Sequence, residues 1–251
     1  MQVMYNFYPT LLDAFWSYLN SSKMYQKFWG FSEDPSKTEE EYEKEQFQSL
    51  IDKINRVPFD SEAADKGTAF NEVVDCILLN KKSDKMELTS SDNSITAKYN
   101  NRTFVFDKSI CKEFAEYYKD AIPQVYVYGN IQTKYGIVNV YGYLDELMPL
   151  KVHDIKTTTK YEAFKFQNNF QHIVYPYCLC QMGNDIKDFE YNILVWDKTG
   201  LTGAIITESY TYVPERDDER LRLHCELFIE FIEANKDLIT DLKIFNKCQN
   251  Q

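Results

Sequence analysis

The chain is short of histidine, glycine, proline and positive charge: its 251 residues include 3 His, 8 Gly and 7 Pro, and the net charge is −11. So few histidines leave little room for a histidine-based metal centre. The scarcity of Gly and Pro argues against a loop-dominated fold. Six cysteines (76, 111, 178, 180, 225 and 248) are scattered, and none forms the Cys-x-x-Cys spacing of a zinc site. Cys178 and Cys180 stand two apart in a helical pattern and point in different directions, so the thiols read as reduced structural side chains. No apolar run reaches the ~20 residues needed to cross a bilayer. The opening MQVMYNFYPTLLDAFWSYL has no basic region and carries Asp13, which does not suit a secretory signal. A cytoplasmic chain with no membrane partner is the expectation.

The shortage of positive charge weighs against a nucleic-acid partner, because such proteins are usually basic. The charge is unevenly placed, however. Glu33 to Glu45 holds seven acids and two lysines, whereas Leu147 to Tyr175 holds four lysines against Asp154 and Glu162. Exposed charges more than about 8–10 Å apart are screened at physiological salt, so local sign matters more than the total.

What is present is apolar and aromatic. The chain is 44% hydrophobic, with 19 Tyr and 17 Phe, ample for a core. Tyr8-Pro9-Thr10 followed by LLDAFWSYL predicts a helix start, with Leu11, Leu12, Phe15, Trp16 and Leu19 at helical spacing. Residues 32–46 read as a polar loop leading into a helix over Glu41–Arg56, broken at Val57-Pro58. Ser61–Asn80 gives another helix. Short strands follow at Met86–Ser90, Ser94–Tyr99 and Thr103–Phe106, then a helix over Lys108–Asp120. From Gln124 the period becomes two: VYVYGNIQ, then Ile137–Leu147 and Lys151–Lys156, a three-stranded meander. Tyr161–Met182 reads as helix, Phe189–Trp196 and Ala204–Tyr212 as a strand pair, and Arg216 to Leu238 as a long helix. One α/β domain over 1–251 accounts for this order. It comprises a helical amino-terminal portion (1–66), a core (67–212) whose mixed sheet and meander are flanked by helices, and a carboxy-terminal helical segment (213–251).

Chemistry concentrates between Val138 and Tyr177. Alternate residues of a strand share a face, which puts Val152, Asp154 and Lys156 together and turns His153 and Ile155 away. An acid and a base two apart on one face call for a metal, a partner or water. Asp145 sits near the hairpin end of the preceding strand, within reach of Asp154, and two close carboxylates repel one another unless a cation lies between them. Mg²⁺ suits two carboxylates, since water and phosphate complete its shell. The plainer reading is a surface ion pair of about 0–1 kcal/mol. Asp-x-Lys occurs again at Asp185 and Asp241, so the triplet alone is weak.

Three motifs in order strengthen it: Gly142-Tyr143-Leu144-Asp145, Val152-His153-Asp154-Ile155-Lys156-Thr157-Thr158, and Gln171-His172-Ile173-Val174-Tyr175. Together they resemble the PD-(D/E)XK nuclease superfamily, with its restriction-endonuclease-like core, and within it the RecB-like and lambda-exonuclease-like branch. The resemblance runs from about Gly67 to Trp196. It implies that Asp145, Asp154 and the carbonyl of Ile155 bind Mg²⁺ or Mn²⁺, while Lys156 orients the attacking water. Gln171 and Tyr175, one helical turn apart, would line the site and touch the nucleic-acid backbone. The upstream motif departs from the branch. Gly67 is followed four positions later by Asn71 instead of His or Glu, with Glu72 next. On a helical wheel Asn71 borders the apolar face and Glu72 points away from it, so Asn71 is the expected inward ligand, with Asp75 one turn on. Iron–sulfur members of the branch carry one early and three late cysteines; that pattern is missing here, and no cluster is expected.

The resemblance implies a Mg²⁺- or Mn²⁺-dependent deoxyribonuclease hydrolysing phosphodiester bonds in single- or double-stranded DNA. An exonuclease or a recombination and repair nuclease fits best, in a bacterial or phage-infected cell. The alternatives are a catalytically silent binding or interaction module on the same fold, and a structural α/β protein.

Overall fold

The computed structural model describes residues 3–245; Cys248 and the end of the 213–251 segment lie outside the described residues. The chain opens with a strand that its periodicity did not reveal, β1 (Val3–Phe7), followed by helices α1 (Pro9–Leu19), α2 (Ser21–Trp29), α3 (Glu39–Ile54) and α4 (Glu62–Leu78). Proline opens α1, where its missing N–H costs nothing. A capping box between Thr38 and Glu41 starts α3, and Glu39, Glu40 and Glu41 face the positive end of its dipole. The acids read from sequence as loop thus form the first turn of a helix.

A small sheet of β2 (Glu87–Ser90), β3 (Ser94–Tyr99) and β4 (Arg102–Asp107) follows, then α5 (Lys108–Tyr117). The meander is β5 (Ile122–Thr133), β6 (Gly136–Met148) and β7 (Lys151–Thr158). Next come α6 (Gln171–Gln181), β8 (Asp188–Trp196), β9 (Gly203–Thr211) and α7 (Pro214–Ala234). The helix expected over Tyr161–Met182 begins only at Gln171, after a run of turns in which Phe164 takes a left-handed backbone. Polar residues of that run meet β9 instead: Tyr161 donates to Glu208 at 2.8 Å.

The larger sheet is mixed. Its order is β1-β6-β7-β8-β9, with β5 on the outer edge of β6; β1/β6 and β7/β8 are parallel and the remaining pairs antiparallel. One core cluster joins β1 and the α6-facing side of the sheet to α1, α3, α6 and α7, through residues such as Phe7, Phe15, Val140, Ile173 and Phe228. A second joins α4, α5 and the small sheet to the opposite side, through Phe70, Phe106, Ile155, Leu194 and Trp196. Burying a side chain of this size contributes about 1.5–3 kcal/mol. The architecture is α/β, with a mixed sheet between helical layers. Among the described residues no helix is long and apolar enough to cross a membrane.

Candidate active site

On its inner edge β6 has two successive partners. β1 pairs with it up to Val140, and β7 pairs with it only through Glu146/His153, Leu147/Val152 and Met148/Lys151. Between them, from Tyr141 to Asp145, that edge has no strand beside it. The carboxylate of Asp145 occupies the gap, its Oδ2 accepting the Ile155 N–H at 3.0 Å. A backbone donor freed by the parting strands is thus satisfied by a side chain.

Asp154, the residue before Ile155 on β7, is buried. Lys156 Nζ stands 2.6 Å from its Oδ2. Its Oδ1 accepts a short hydrogen bond from Gln171 Nε2, at the start of α6. Tyr175, one turn further along α6, places its hydroxyl 3.5 Å from the same Gln171 amide. The Tyr175 ring lies against Gly142, where a Cβ would stand 2.6 Å from Tyr175 Cε1. Gly142 therefore lets α6 approach β6. The five residues expected at the site do converge, and Asp154, which the plainer reading would place in a surface ion pair with Lys156, is buried.

Burial and the neighbouring Asp154 push the Asp145 carboxyl up to about 7, against the pull of Lys156. Burial likewise raises Asp154, with Lys156 and Gln171 opposing it. For Lys156 burial favours the neutral amine, but Asp154 and Asp145 outweigh it and hold its pKa above the usual lysine value. One ammonium between two carboxylates leaves the cluster short of positive charge, so a further cation here would be attracted.

The upstream helix is drawn close by Gly67, whose Cβ position lies 3.1 Å from Thr157 Oγ1 of β7. Asn71 is the inward residue, as expected: its Nδ2 donates to Asp145 Oδ2 at 3.3 Å, and its Oδ1 has no partner. Glu72 does point away from the site, but it is not exposed. The loop after α4 covers it, Ser83 donating at 2.7 Å and Lys85 pairing at 2.9 Å. Asp75 lies against the Glu146 carboxyl on the buried side, and its charge is also among those that raise Asp145. Burial, with Asp75 beside it, pushes Glu146 up to about 9, and neither Glu146 oxygen meets a donor. Burial and the adjacent acid thus favour the protonated form of Glu146. His153 turns away from Asp154, as expected, toward Asn192 at 2.9 Å and the rings of Tyr117 and Tyr118.

Two residues at the site had no signal in the motifs. Asp13, on α1, accepts the Phe170 N–H at 2.6 Å and so caps the approach to α6. Burial pushes its carboxyl up to about 7, with Lys156 and Lys53 among the charges pulling it down. Lys53, on α3, is lowered by burial and supported by Asp13. Neither spacing nor composition marks Asp13, because it reaches the site from a helix more than a hundred residues upstream. Beside the gap in β6 a cavity of about 260 Å³ is lined by Tyr8, Arg56, Tyr141, Gly142, Tyr143 and Tyr175.

Among the described residues no three His, Cys, Asp or Glu side chains cluster closely enough to hold a metal ion. A cation here would be held by the Asp145 and Asp154 carboxylates, with the unpartnered Asn71 Oδ1 and the Ile155 carbonyl nearby. Two carboxylates with water and phosphate oxygens completing the shell suit Mg²⁺, so the donor set fits a weak, substrate-assisted site.

No protein-family model matches the chain, and no curated protein matches it. Among solved structures, the crystal structure of SSO0001 aligns with the chain at a TM-score of 0.42, with 9% of residues identical over 93% of this chain and 79% of that one.

Proposed function

We propose that the chain is a metal-dependent DNA nuclease of the PD-(D/E)XK type, hydrolysing phosphodiester bonds as an exonuclease or a recombination and repair nuclease. The observation that supports it most is the treatment of Asp154. A carboxylate is buried between Lys156 and Gln171, beside a second carboxylate fixed on the Ile155 N–H. Burying such charges is costly unless they are paired, and a structural protein gains little from doing so.

In this reading Asp145 and Asp154 hold Mg²⁺ or Mn²⁺, which when bound supplies a Lewis acid and lowers the pKa of water. Lys156 faces the scissile phosphate, orients the attacking water and offsets the charge that builds on phosphorus. Gln171 holds Asp154 in place, and Tyr175 fixes the turn that carries Gln171. Burial raises both the Asp145 and Asp154 carboxyls, so a bound cation would favour their charged forms, which links metal binding to the charge of the site. The cellular setting implied is the cytoplasm of a bacterium or a phage-infected cell.

Asn71 favours a second reading, a silent module on the same fold, because an amide stands where the branch that the chain resembles carries His or Glu. End-labelled linear DNA, incubated with Mn²⁺ or Mg²⁺ and with EDTA and Lys156→Ala controls, decides between them. The nuclease reading expects cleavage that EDTA stops and that Lys156→Ala reduces by about 10²–10³-fold. Intact DNA under every condition favours the silent module.

A further inference from the structure

β5 and β6 present an unusual outer face. Tyr126 pairs with Tyr143 and Tyr128 with Tyr141 across the two strands, so four rings share one side of the sheet. Tyr126, Tyr128 and Tyr143 are 45%, 50% and 59% exposed. Their rings form a connected patch: Tyr126 lies 5.1 Å from Tyr143, 6.1 Å from Tyr128 and 6.3 Å from Tyr141. The alternate residues Val127, Val138, Val140 and Leu144 are buried in the core on the other side, so the tyrosines are not needed to build it. Exposed large aromatics gathered on one face mark a binding surface.

Three observations say what would bind. The patch runs into the candidate site: Tyr141, Tyr143, Gly142 and Tyr175 line the cavity beside the gap in β6, and Asp145 follows Tyr143 by two residues. Rings two residues apart on a strand stand about 6.7 Å from one another, a spacing that suits successive bases of an extended single strand. The face also lacks charge in a chain of net −11: from the Gln132/Ile137 pair to the Tyr126/Tyr143 pair it carries no Asp, Glu, Lys or Arg. At the end of the face nearest the cavity lies Arg56, whose guanidinium sits over the Tyr8 ring at 5.7 Å, donates to the Tyr141 hydroxyl at 3.3 Å and pairs with Asp241 at 3.1 Å. Duplex binding depends on neutralising many phosphates, for which this face has no cations. Stacking of unpaired bases on aromatic rings contributes about 1–3 kcal/mol per base from the rings themselves, and a duplex keeps its bases paired and out of reach of them.

We propose that the Tyr126–Tyr128–Tyr143 face is a stacking platform for single-stranded DNA, which leads the strand past Arg56 toward the Asp145–Asp154 pair. The proposal rests on the nuclease reading for its substrate but makes a separate claim about binding. It takes the patch as a DNA surface in preference to a protein interface because the patch is continuous with the cavity beside the gap in β6.

Binding is measured in EDTA, without turnover, on a fluorescently labelled oligothymidylate about twelve nucleotides long and on a blunt duplex. The Tyr126→Ala/Tyr143→Ala protein is expected to bind the single strand about tenfold or more weakly, the corresponding Phe pair to retain binding, and duplex binding to be unchanged. Crosslinking of the unaltered protein to iododeoxyuridine-substituted single strands, which needs no substitution in the protein, is expected to map to Tyr126, Tyr128 or Tyr143. Equal single-strand binding by the Ala pair, crosslinks only elsewhere, or loss of self-association in the Ala pair with no DNA binding by the unaltered protein each overturns the platform. Tyrosine-dependent binding with no Mn²⁺-dependent cleavage leaves the platform standing and removes the nuclease reading. Cleavage and binding both unaffected in the Ala pair do the reverse.

Discussion

Asp145 Oδ2 accepts the Ile155 backbone N–H at 3.0 Å, across the point where β6 and β7 part. One hydrogen bond thus ties the acid of one strand to the residue between Asp154 and Lys156 on the next. It fixes the two carboxylates relative to one another, the preorganisation that a metal site at these residues would require.

If Asp145 and Asp154 share an ion, Mn²⁺ stabilises the folded chain. At about 100 times Kd the gain is about 2.7 kcal/mol, or about 5–10 °C in Tm for a chain of this size. Scanning calorimetry with Mn²⁺ and with EDTA is expected to show that rise in the unaltered protein and none in Asp145→Asn, which keeps the shape but not the charge. A rise that survives the substitution places the ion elsewhere.

Asn71→Asp adds a third carboxylate and removes the donor to Asp145. Without metal it is expected to be less stable by about 1–3 kcal/mol, the cost of an unpaired buried acceptor beside a like charge. With Mn²⁺ the loss is recovered, and titration calorimetry is expected to show binding about tenfold tighter. Weaker Mn²⁺ binding by the aspartate contradicts the assignment of Asn71 as the inward residue.

Gly142→Ala puts a Cβ 2.6 Å from the Tyr175 ring. Overpacking of this kind is expected to cost about 1–3 kcal/mol in urea unfolding. The cost is expected to fall in a Tyr175→Ala background, giving a coupling of about 1 kcal/mol in the double-mutant cycle. Additive effects mean that Tyr175 does not pack on Gly142.

His224 is buried against Phe170, with ring centroids 4.2 Å apart, and its Nε2–H donates to the Leu12 carbonyl at 3.0 Å. Burial pushes it from 6.5 to about 4. Its folded pKa lies below the unfolded one, so the unfolded chain binds the extra proton between those values. Stability is complete above pH 6.5, falls as pH drops toward about 4, and levels off below that; the loss from this residue is on the order of 3 kcal/mol. Urea midpoints measured from pH 7 to 4 are expected to fall less steeply in His224→Gln. Parallel slopes assign the acid sensitivity to other groups.

Much of the element order is legible because period is local. The alternation in Val125–Ile131 and Val138–Leu144, and the helical spacing of Phe70, Val73, Val74 and Ile77, place each of these residues on a face whatever lies opposite. β1 escaped because five residues carry little periodicity, and their strand character comes from pairing with β6. The turns over 161–170 were read as helix because apolar spacing there is compatible with one. The Asp13–Phe170 bond and the Glu208 contacts hold that run instead.

By itself the sequence determined that Asp154 and Lys156 share a side of a strand, that His153 faces the other way, and that Asn71 borders the apolar face of its helix. Only the tertiary structure decided which of three Asp-x-Lys triplets is buried. The Asp154 side chain is 3% exposed and held by Gln171, whereas Asp185 is 84% exposed in an ordinary surface pair, and Asp241 turns to Arg56. It also decided that a loop covers Glu72 and that Asp13 approaches Lys156 from α1. Backbone period fixes the direction of a side chain within a few residues. What stands in that direction comes from parts of the chain a hundred residues away, and burial, which sets the energy of a charge, depends on those parts.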